Sequence, residues 1–285
     1  MRHGPVVRRR KLGEELRRLR LDAGLTSREA GLRAGWHQSK VSRIETGASG
    51  VRAADVTRLL DAYEVADPQL RALLETLADA ADGGGDGWWH AYRGLLPGEY
   101  RDFISLESQA STARTLETSV VPGLLQTPDY ARAVTRSALE ELPAATVNSL
   151  VDVRIARQSV LRAEQPLRLS AVLDEAALRR EVGGRQVMRE QLWVLTETAQ
   201  LPHVRLQVLP FTVGGYVGLT SPFVIFSFPT TSDLDVVVLD HLTSSLCLER
   251  KEDLEVYGAA FRTMQARALS PADSMELIAR ISEGA

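Results

Sequence analysis

Residues 26–47 read Thr-Ser-Arg-Glu-Ala-Gly-Leu-Arg-Ala-Gly-Trp-His-Gln-Ser-Lys-Val-Ser-Arg-Ile-Glu-Thr-Gly, and few folds accommodate that run. Thr26 followed three residues on by Glu29 is the reciprocal pair that closes the start of a helix, with each side chain bonding the other residue's backbone N–H. The helix extends to Ala34 and stops at Gly35, because glycine takes a left-handed backbone without the Cβ penalty. A second helix is expected over residues 38–46, stopped by Gly47. Two short helices joined by so tight a turn must cross closely. Small Ala30 lets them approach, and Leu32, Val41 and Ile44 are placed to lock the pair against Leu16 and Leu59.

Apolar spacing supplies the helices around this pair. Leu12, Leu16 and Leu19 predict a helix over 9–22, ended by Ala23-Gly24. Residues 51–63 carry Val56, Leu59, Leu60 and Tyr63 on one face, and residues 68–80 carry Leu70, Leu73, Leu74 and Leu77. The expectation is an all-α domain of five helices in residues 1–80. With the inward positions of the third helix assigned, its outward face presents Gln38, Ser39, Ser42 and Arg43, with Lys40 beside them. These are polar groups able to bond base edges or phosphate oxygens, and the arrangement is that of a helix-turn-helix.

Charge separates this reading from that of a bundle built to bind protein, which needs the same apolar positions but no basic surface. Residues 1–60 hold fourteen Lys and Arg against six Asp and Glu, a net of +8, which leaves −11 on the remainder of a chain whose total is −3. A basic head on an acidic body is the footprint of a domain that neutralises phosphates, because each neutralised phosphate releases condensed counterions.

Ser39-Lys40-Val41-Ser42-Arg43-Ile44-Glu45-Thr46-Gly47 resembles the recognition helix of the Xre-type, lambda-repressor-like family, which ends in Glu-x-Gly. The resemblance implies that Gln38, Ser39 and Arg43 meet bases while Arg10, Ser27, Arg28 and Lys40 hold phosphates; Ser42, on the same outward face, is a further base contact and His37 a further phosphate contact. It departs from the family at the start of the third helix, where a small capping residue is usual. Here stands His37, preceded by bulky Trp36.

Beyond the head, Asp82-Gly83-Gly84-Gly85-Asp86-Gly87 has no side chains to bury and reads as a linker over 81–87. Aromatics concentrate just after it at Trp88, Trp89, Tyr92, Tyr100 and Phe103, as core or as the lining of a ligand or partner site at Trp88, Trp89 and Tyr92. Helical patterns continue to Leu161, broken by a turn at Val121-Pro122-Gly123. Strands are expected over 167–173, 204–209, 223–228, 236–239 and 245–248, and helices over 185–199, 251–268 and 271–281. Several strands close together in sequence favour an α+β domain over 88–285 with an antiparallel sheet.

Nothing in the body spells out catalysis. Glu107, Asp174, Glu175, Asp240 and His241 are the groups available for acid–base work. The five histidines, His3, His37, His90, His203 and His241, have no metal-ligand spacing, so neither metal nor cofactor is expected and the chain reads as no enzyme. Gly214-Gly215-Tyr216-Val217-Gly218 lies between strands and reads as a hairpin loop, and Cys247 reads as a small core residue. A lone cysteine, no signal-like apolar run and no stretch of ~20 apolar residues point to a cytoplasmic, nucleoid-associated protein with no membrane contact.

The body also carries a resemblance. Gly87-Trp88-Trp89, Leu106-Glu107-Ser108-Gln109-Ala110, residues 121–131 from Val-Pro-Gly-Leu-Leu-Gln-Thr onward, Val172-Leu173-Asp174-Glu175-Ala176 and Gln207-Val208-Leu209-Pro210-Phe211 are similar to the C-terminal domain of unassigned function in the actinobacterial WhiJ-like group of regulators. That resemblance implies a transcriptional regulator of development that binds an operator in double-stranded DNA and answers to a small partner protein encoded nearby; because one head covers a single half-site, the body is expected to form a homodimer. The other reading is an antitoxin-like or adaptor protein, sequestering such a partner and using its head for autoregulation.

Overall fold

The glycine run at 83–87 lies outside the part of the chain that the computed structural model describes: residues 5–82, 88–92, 94–139, 141–216, 221–228, 235–240 and 245–284. The chain divides into two units, Met1–Ser105 and Leu106–Ala285. The first contains α1 (Pro5–Asp22), α2 (Ser27–Ala34), α3 (Gln38–Glu45), α4 (Ala53–Ala62) and α5 (Pro68–Asp82). It also takes in a 3-10 turn at Trp88–Tyr92 and most of α6 (Gly98–Gln109), so the helical region is not limited to the five helices expected. Its core is the leucine stripe of α1, Leu12 and Leu16, closed by Val41, Ile44, Val56, Leu59, Leu60 and Leu74. Leu73 and Leu77, expected on the same face of α5, have side chains outside the described residues.

Leu32 does not lock the helix pair. It is 71% exposed, because α2 buries the stripe Ala30, Gly31 and Ala34, and Leu32 lies about 200° round the helix from Ala30. Close approach is secured elsewhere, by Gly13 in α1. A Cβ at that position would stand 2.5 Å from the Ile44 carbonyl oxygen and 2.6 Å from that of Glu45, so only glycine lets α1 lie against the end of α3.

The second unit is built on a six-stranded sheet in the order β3-β2-β1-β4-β5-β6. Its strands are β1 (Thr112–Glu117), β2 (Arg168–Asp174), β3 (Val204–Leu209), β4 (Phe223–Ser227), β5 (Val236–Asp240) and β6 (Ser245–Leu248). The sheet is mixed, not antiparallel as expected. β1, β2 and β3 run parallel, and β1, β4, β5 and β6 pair antiparallel. The correction traces to β1, which falls inside a stretch read as helical. Thr-Ala-Arg-Thr-Leu-Glu has no apolar run, and only Ala113, Thr115 and Leu116 are buried. Once β1 is a central strand, the long connections through α7 (Pro128–Ala138) and α8 (Ala144–Arg157), and through α9 (Glu175–Arg179) and α10 (Arg185–Thr198), become crossovers between parallel neighbours.

One face of the sheet packs Leu116, Val172, Leu209, Phe223, Ile225, Val237 and Leu239 against Phe261 and Met264 of α11 (Lys251–Arg267). α12 (Pro271–Glu283) follows, and Ser274 on it accepts the Val208 N–H of β3 at 3.0 Å. Residues 121–127, between β1 and α7, form a largely buried connection with one 3-10 turn at Gly123–Leu125, and its peptide groups are met by side chains. The Gln126 amide donates to the Val121 carbonyl at 2.7 Å, and Gln158 to the Gln126 carbonyl at 2.7 Å. Gln191, fully buried, accepts the Thr127 N–H and donates to the Leu125 carbonyl, both at 2.7 Å. Thr127 then caps α7, and the Tyr130 hydroxyl accepts the Val121 N–H at 3.1 Å. The Val-Pro-Gly-Leu-Leu-Gln-Thr run is thus a loop that must satisfy its own backbone away from water.

Candidate nucleic-acid interface

Both ends of α2, and the start of α3, are capped. The Thr26 N–H donates to Glu29 Oε2 at 2.8 Å, and the Glu29 N–H to Thr26 Oγ1 at 3.2 Å, closing the reciprocal cap. The Thr26 hydroxyl, and after it the Thr26 backbone N–H, hold the Glu29 carboxyl below its ordinary range. Gly35 ends α2 at φ +72°, and its N–H returns to the Gly31 and Leu32 carbonyls. His37 supplies the cap of α3 that a small residue usually provides. Its Nδ1 accepts the Ser39 N–H at 3.3 Å and lies 2.9 Å from the Ser39 hydroxyl. Accepting there puts the ring proton on Nε2.

α3 has two turns, too few to hold a helix by itself, so tertiary contacts fix it. Val41 and Ile44 are buried. Behind them Arg20 of α1 grips Glu45 with two hydrogen bonds, Nε to Oε1 at 2.7 Å and an Nη2 nitrogen to Oε2 at 2.9 Å. A third guanidinium donor meets the Leu25 carbonyl at 2.6 Å, and the Tyr63 hydroxyl donates to Glu45 at 3.3 Å. Both charged side chains are less than a tenth exposed. The hydrogen bond to Glu45 raises the Arg20 pKa against the opposing effect of burial, while burial first, and Glu45 second, push the Tyr63 phenol up. Spacing marks both charged residues as notable without pairing them. Arg20 falls four residues after Leu16 on the buried stripe of α1, and Glu45 opens the Glu-x-Gly ending.

Opposite this anchored face, Gln38, Ser39, Ser42 and Arg43 are all exposed along α3, so the four residues expected to meet bases share one surface. Arg28 is exposed and Ser27 half-buried in the first turn of α2, where free backbone N–H groups favour an anion. The guanidinium groups of Arg28 and Arg43 make no hydrogen bond or ion pair among the described residues. Lys40 is differently placed: its ammonium is 3.1 Å from Asp55 Oδ2 and 3.6 Å from the centroid of the Trp36 ring. The side chain of Arg10 lies outside the described residues.

Beyond α5 but still within the first unit, the Trp88 ring meets Trp89 and Tyr92 edge to face, with centroids 5.8 and 6.2 Å away, and the tryptophans are half-buried. The acidic candidates are bound into structure. Glu107 pairs with Arg157 at 2.7 and 2.8 Å. Asp174 caps α9 and accepts the Tyr216 hydroxyl at 2.6 Å, and Glu175 accepts from Arg179 and from the Phe211 N–H. The Asp240 side chain and His241 lie outside the described residues, as do Val217 and Gly218 of the glycine loop. Among the described residues no group of three His, Cys, Asp or Glu is placed to hold a metal ion, and no helix is long and apolar enough to cross a membrane.

Residues 11–74, from α1 into α5, match the family described as a helix-turn-helix domain. No curated protein and no solved structure matches the chain. Residues 100–280, well over half of the chain, match the family described as a domain of unknown function (DUF5753), and the chain belongs to that family.

Proposed function

We propose that the protein is a sequence-specific DNA-binding transcriptional regulator of Xre type, related to the WhiJ-like group, that reads its operator with α3. The observation that carries this is the two-sidedness of α3: one face is fixed by Val41, Ile44 and the Arg20–Glu45 pair, and the other exposes Gln38, Ser39, Ser42 and Arg43. A reading helix needs both, since its side chains must meet base edges at a reproducible distance. The +8 charge of residues 1–60 supplies attraction to phosphates. Arg28 and Ser27 at the start of α2 hold the phosphate backbone, with His37 Nε2 as a further donor.

The test is competition binding of the full chain to a duplex selected by footprinting on its own promoter, against a scrambled duplex. Arg43→Ala should cost about 1–3 kcal/mol on the selected duplex and little on the scrambled one. Equal losses on both would remove Arg43 from base reading, and no preference in the wild-type chain would remove the function itself.

One head covers one half-site, so tight binding calls for two heads about one helical turn, ~34 Å, apart. The body is accordingly read as a dimerising, signal-receiving domain that binds and does not catalyse, its effector a small partner protein. Glu107, Asp174 and Glu175, each committed to a structural partner, support a binding role. Sedimentation of the full chain as a monomer at micromolar concentration would count against the dimer.

A further inference from the structure

Lys40 belongs to α3 but not to its outward face. At about 100° per residue, Val41, Ile44 and Glu45 define the inward direction and Ser39 and Arg43 point away from it, which leaves Lys40 on the flank. That flank is the one beside α4. Asp55, in the first turn of α4 where a carboxylate suits the helix dipole, takes the ammonium at 3.1 Å, and the Trp36 ring stands beneath it at 3.6 Å. Three elements meet at one charge: the turn before α3, α3 and the start of α4. The two charged side chains are 37% and 29% exposed, shielded enough to be ordered but too wet for the ion pair alone to be strong. The ammonium is thus positioned by two protein groups before any phosphate arrives.

We infer that Lys40 is a positioning residue and not a phosphate contact: held by Asp55 and Trp36, it sets the roll of α3 against α4, and with it the register of Gln38 and Arg43 on base edges. The inference rests on the DNA-reading proposal above and adds a specificity role for two residues outside the reading face. Arg20–Glu45 fixes the C-terminal end of α3. Lys40 fixes the end where α3 begins.

The experiment uses the full chain with Lys40→Met, Asp55→Asn and the exchange Lys40→Asp with Asp55→Lys, titrated against the selected and the scrambled duplex over a range of salt. Each single variant should lower the preference for the selected duplex about five-fold, the scale of a partly shielded ion pair, with the salt slope unchanged within a few tenths. The exchange should do better than either single variant but fall short of the wild type, because the ion pair is remade while the ammonium leaves the Trp36 ring and the carboxylate leaves the start of α4. A phosphate contact gives the opposite pattern. Lys40→Met would then lower the slope by about one and weaken both duplexes alike, and the exchange would be the worst variant, with a carboxylate facing the DNA. That pattern overturns the assignment. So would strictly additive melting temperatures for Lys40→Met and Asp55→Asn in the DNA-free chain. A wild-type chain that selects no duplex defeats the DNA reading itself, whereas slope loss in a chain that does select one defeats only the role given to Lys40.

Discussion

The two units each bury an arginine–glutamate pair, Arg20–Glu45 in the first and Arg157–Glu107 in the second, and the pairs are alike in geometry. Both are joined by two hydrogen bonds of 2.7–2.9 Å, with every side chain less than a tenth exposed. What they hold is different. Arg20–Glu45, with the Tyr63 hydroxyl and the Leu25 carbonyl, anchors a two-turn helix whose other side stays in water. Arg157 stands beside Gly123, under a segment that Gln126, Gln158 and Gln191 stitch together through its backbone. Desolvating two charges makes a buried pair a poor source of net stability compared with an apolar contact, but removing one partner is costly. The same device therefore pins a short, outwardly exposed helix in one unit and a connection with a single 3-10 turn in the other.

The largest effects are expected from breaking either pair. Glu45→Ala and Arg157→Ala should each cost about 3–5 kcal/mol, since each strands a buried charge. Hydrogen exchange read by mass spectrometry separates them: Glu45→Ala should release α3 and leave residues 121–130 protected, and Arg157→Ala should do the reverse. Loss of protection in both places from one substitution would mean that the pairs do not act locally.

Next comes Gln191→Leu, which keeps the bulk but leaves the Thr127 N–H and the Leu125 carbonyl buried without their partner. The expected cost is about 1–3 kcal/mol, read as a lower urea midpoint with an unchanged slope. A neutral result would show that packing of Leu124 and Leu125, and not polar satisfaction, holds this loop.

Smaller still is the cap of α3. His37→Ala should cost about 1 kcal/mol, and His37→Asn should recover most of it, because asparagine is among the preferred caps. If asparagine does no better than alanine in thermal melts, the imidazole does not act through the Ser39 N–H.

The smallest effect is the pH response of the α2 cap. Thr26 holds the Glu29 carboxyl below its ordinary range in the folded chain. Its contribution is therefore present above the ordinary carboxylate range and is lost as pH falls through the lowered folded value. Proton exchange at the Thr26 and Glu29 amides should rise over that acidic window, beyond the intrinsic pH trend, and Glu29→Gln should flatten the response.

Local features were legible in the residues. The reciprocal cap at Thr26 and Glu29, the left-handed stop at Gly35, the bounds of β3 and β6 and the exposed row Gln38, Ser39, Ser42 and Arg43 all follow from contacts within about one turn or one strand. Such contacts depend on spacing alone, and spacing is what a sequence displays. The tertiary structure decided the rest. Leu32 is apolar and points to water because the stripe beside it is narrower than its chemistry implies. β1 is a strand because two sheet neighbours claim its backbone, not because Thr-Ala-Arg-Thr-Leu-Glu favours one, and with β1 in place half the sheet becomes parallel. Arg20 meets Glu45 across twenty-five residues, and Lys40 turns to Asp55 across fifteen, because folding brings those charges to hydrogen-bond distance in a setting drier than water. No periodicity records a partner that far along the chain, since its effect exists only after the chain has closed on itself.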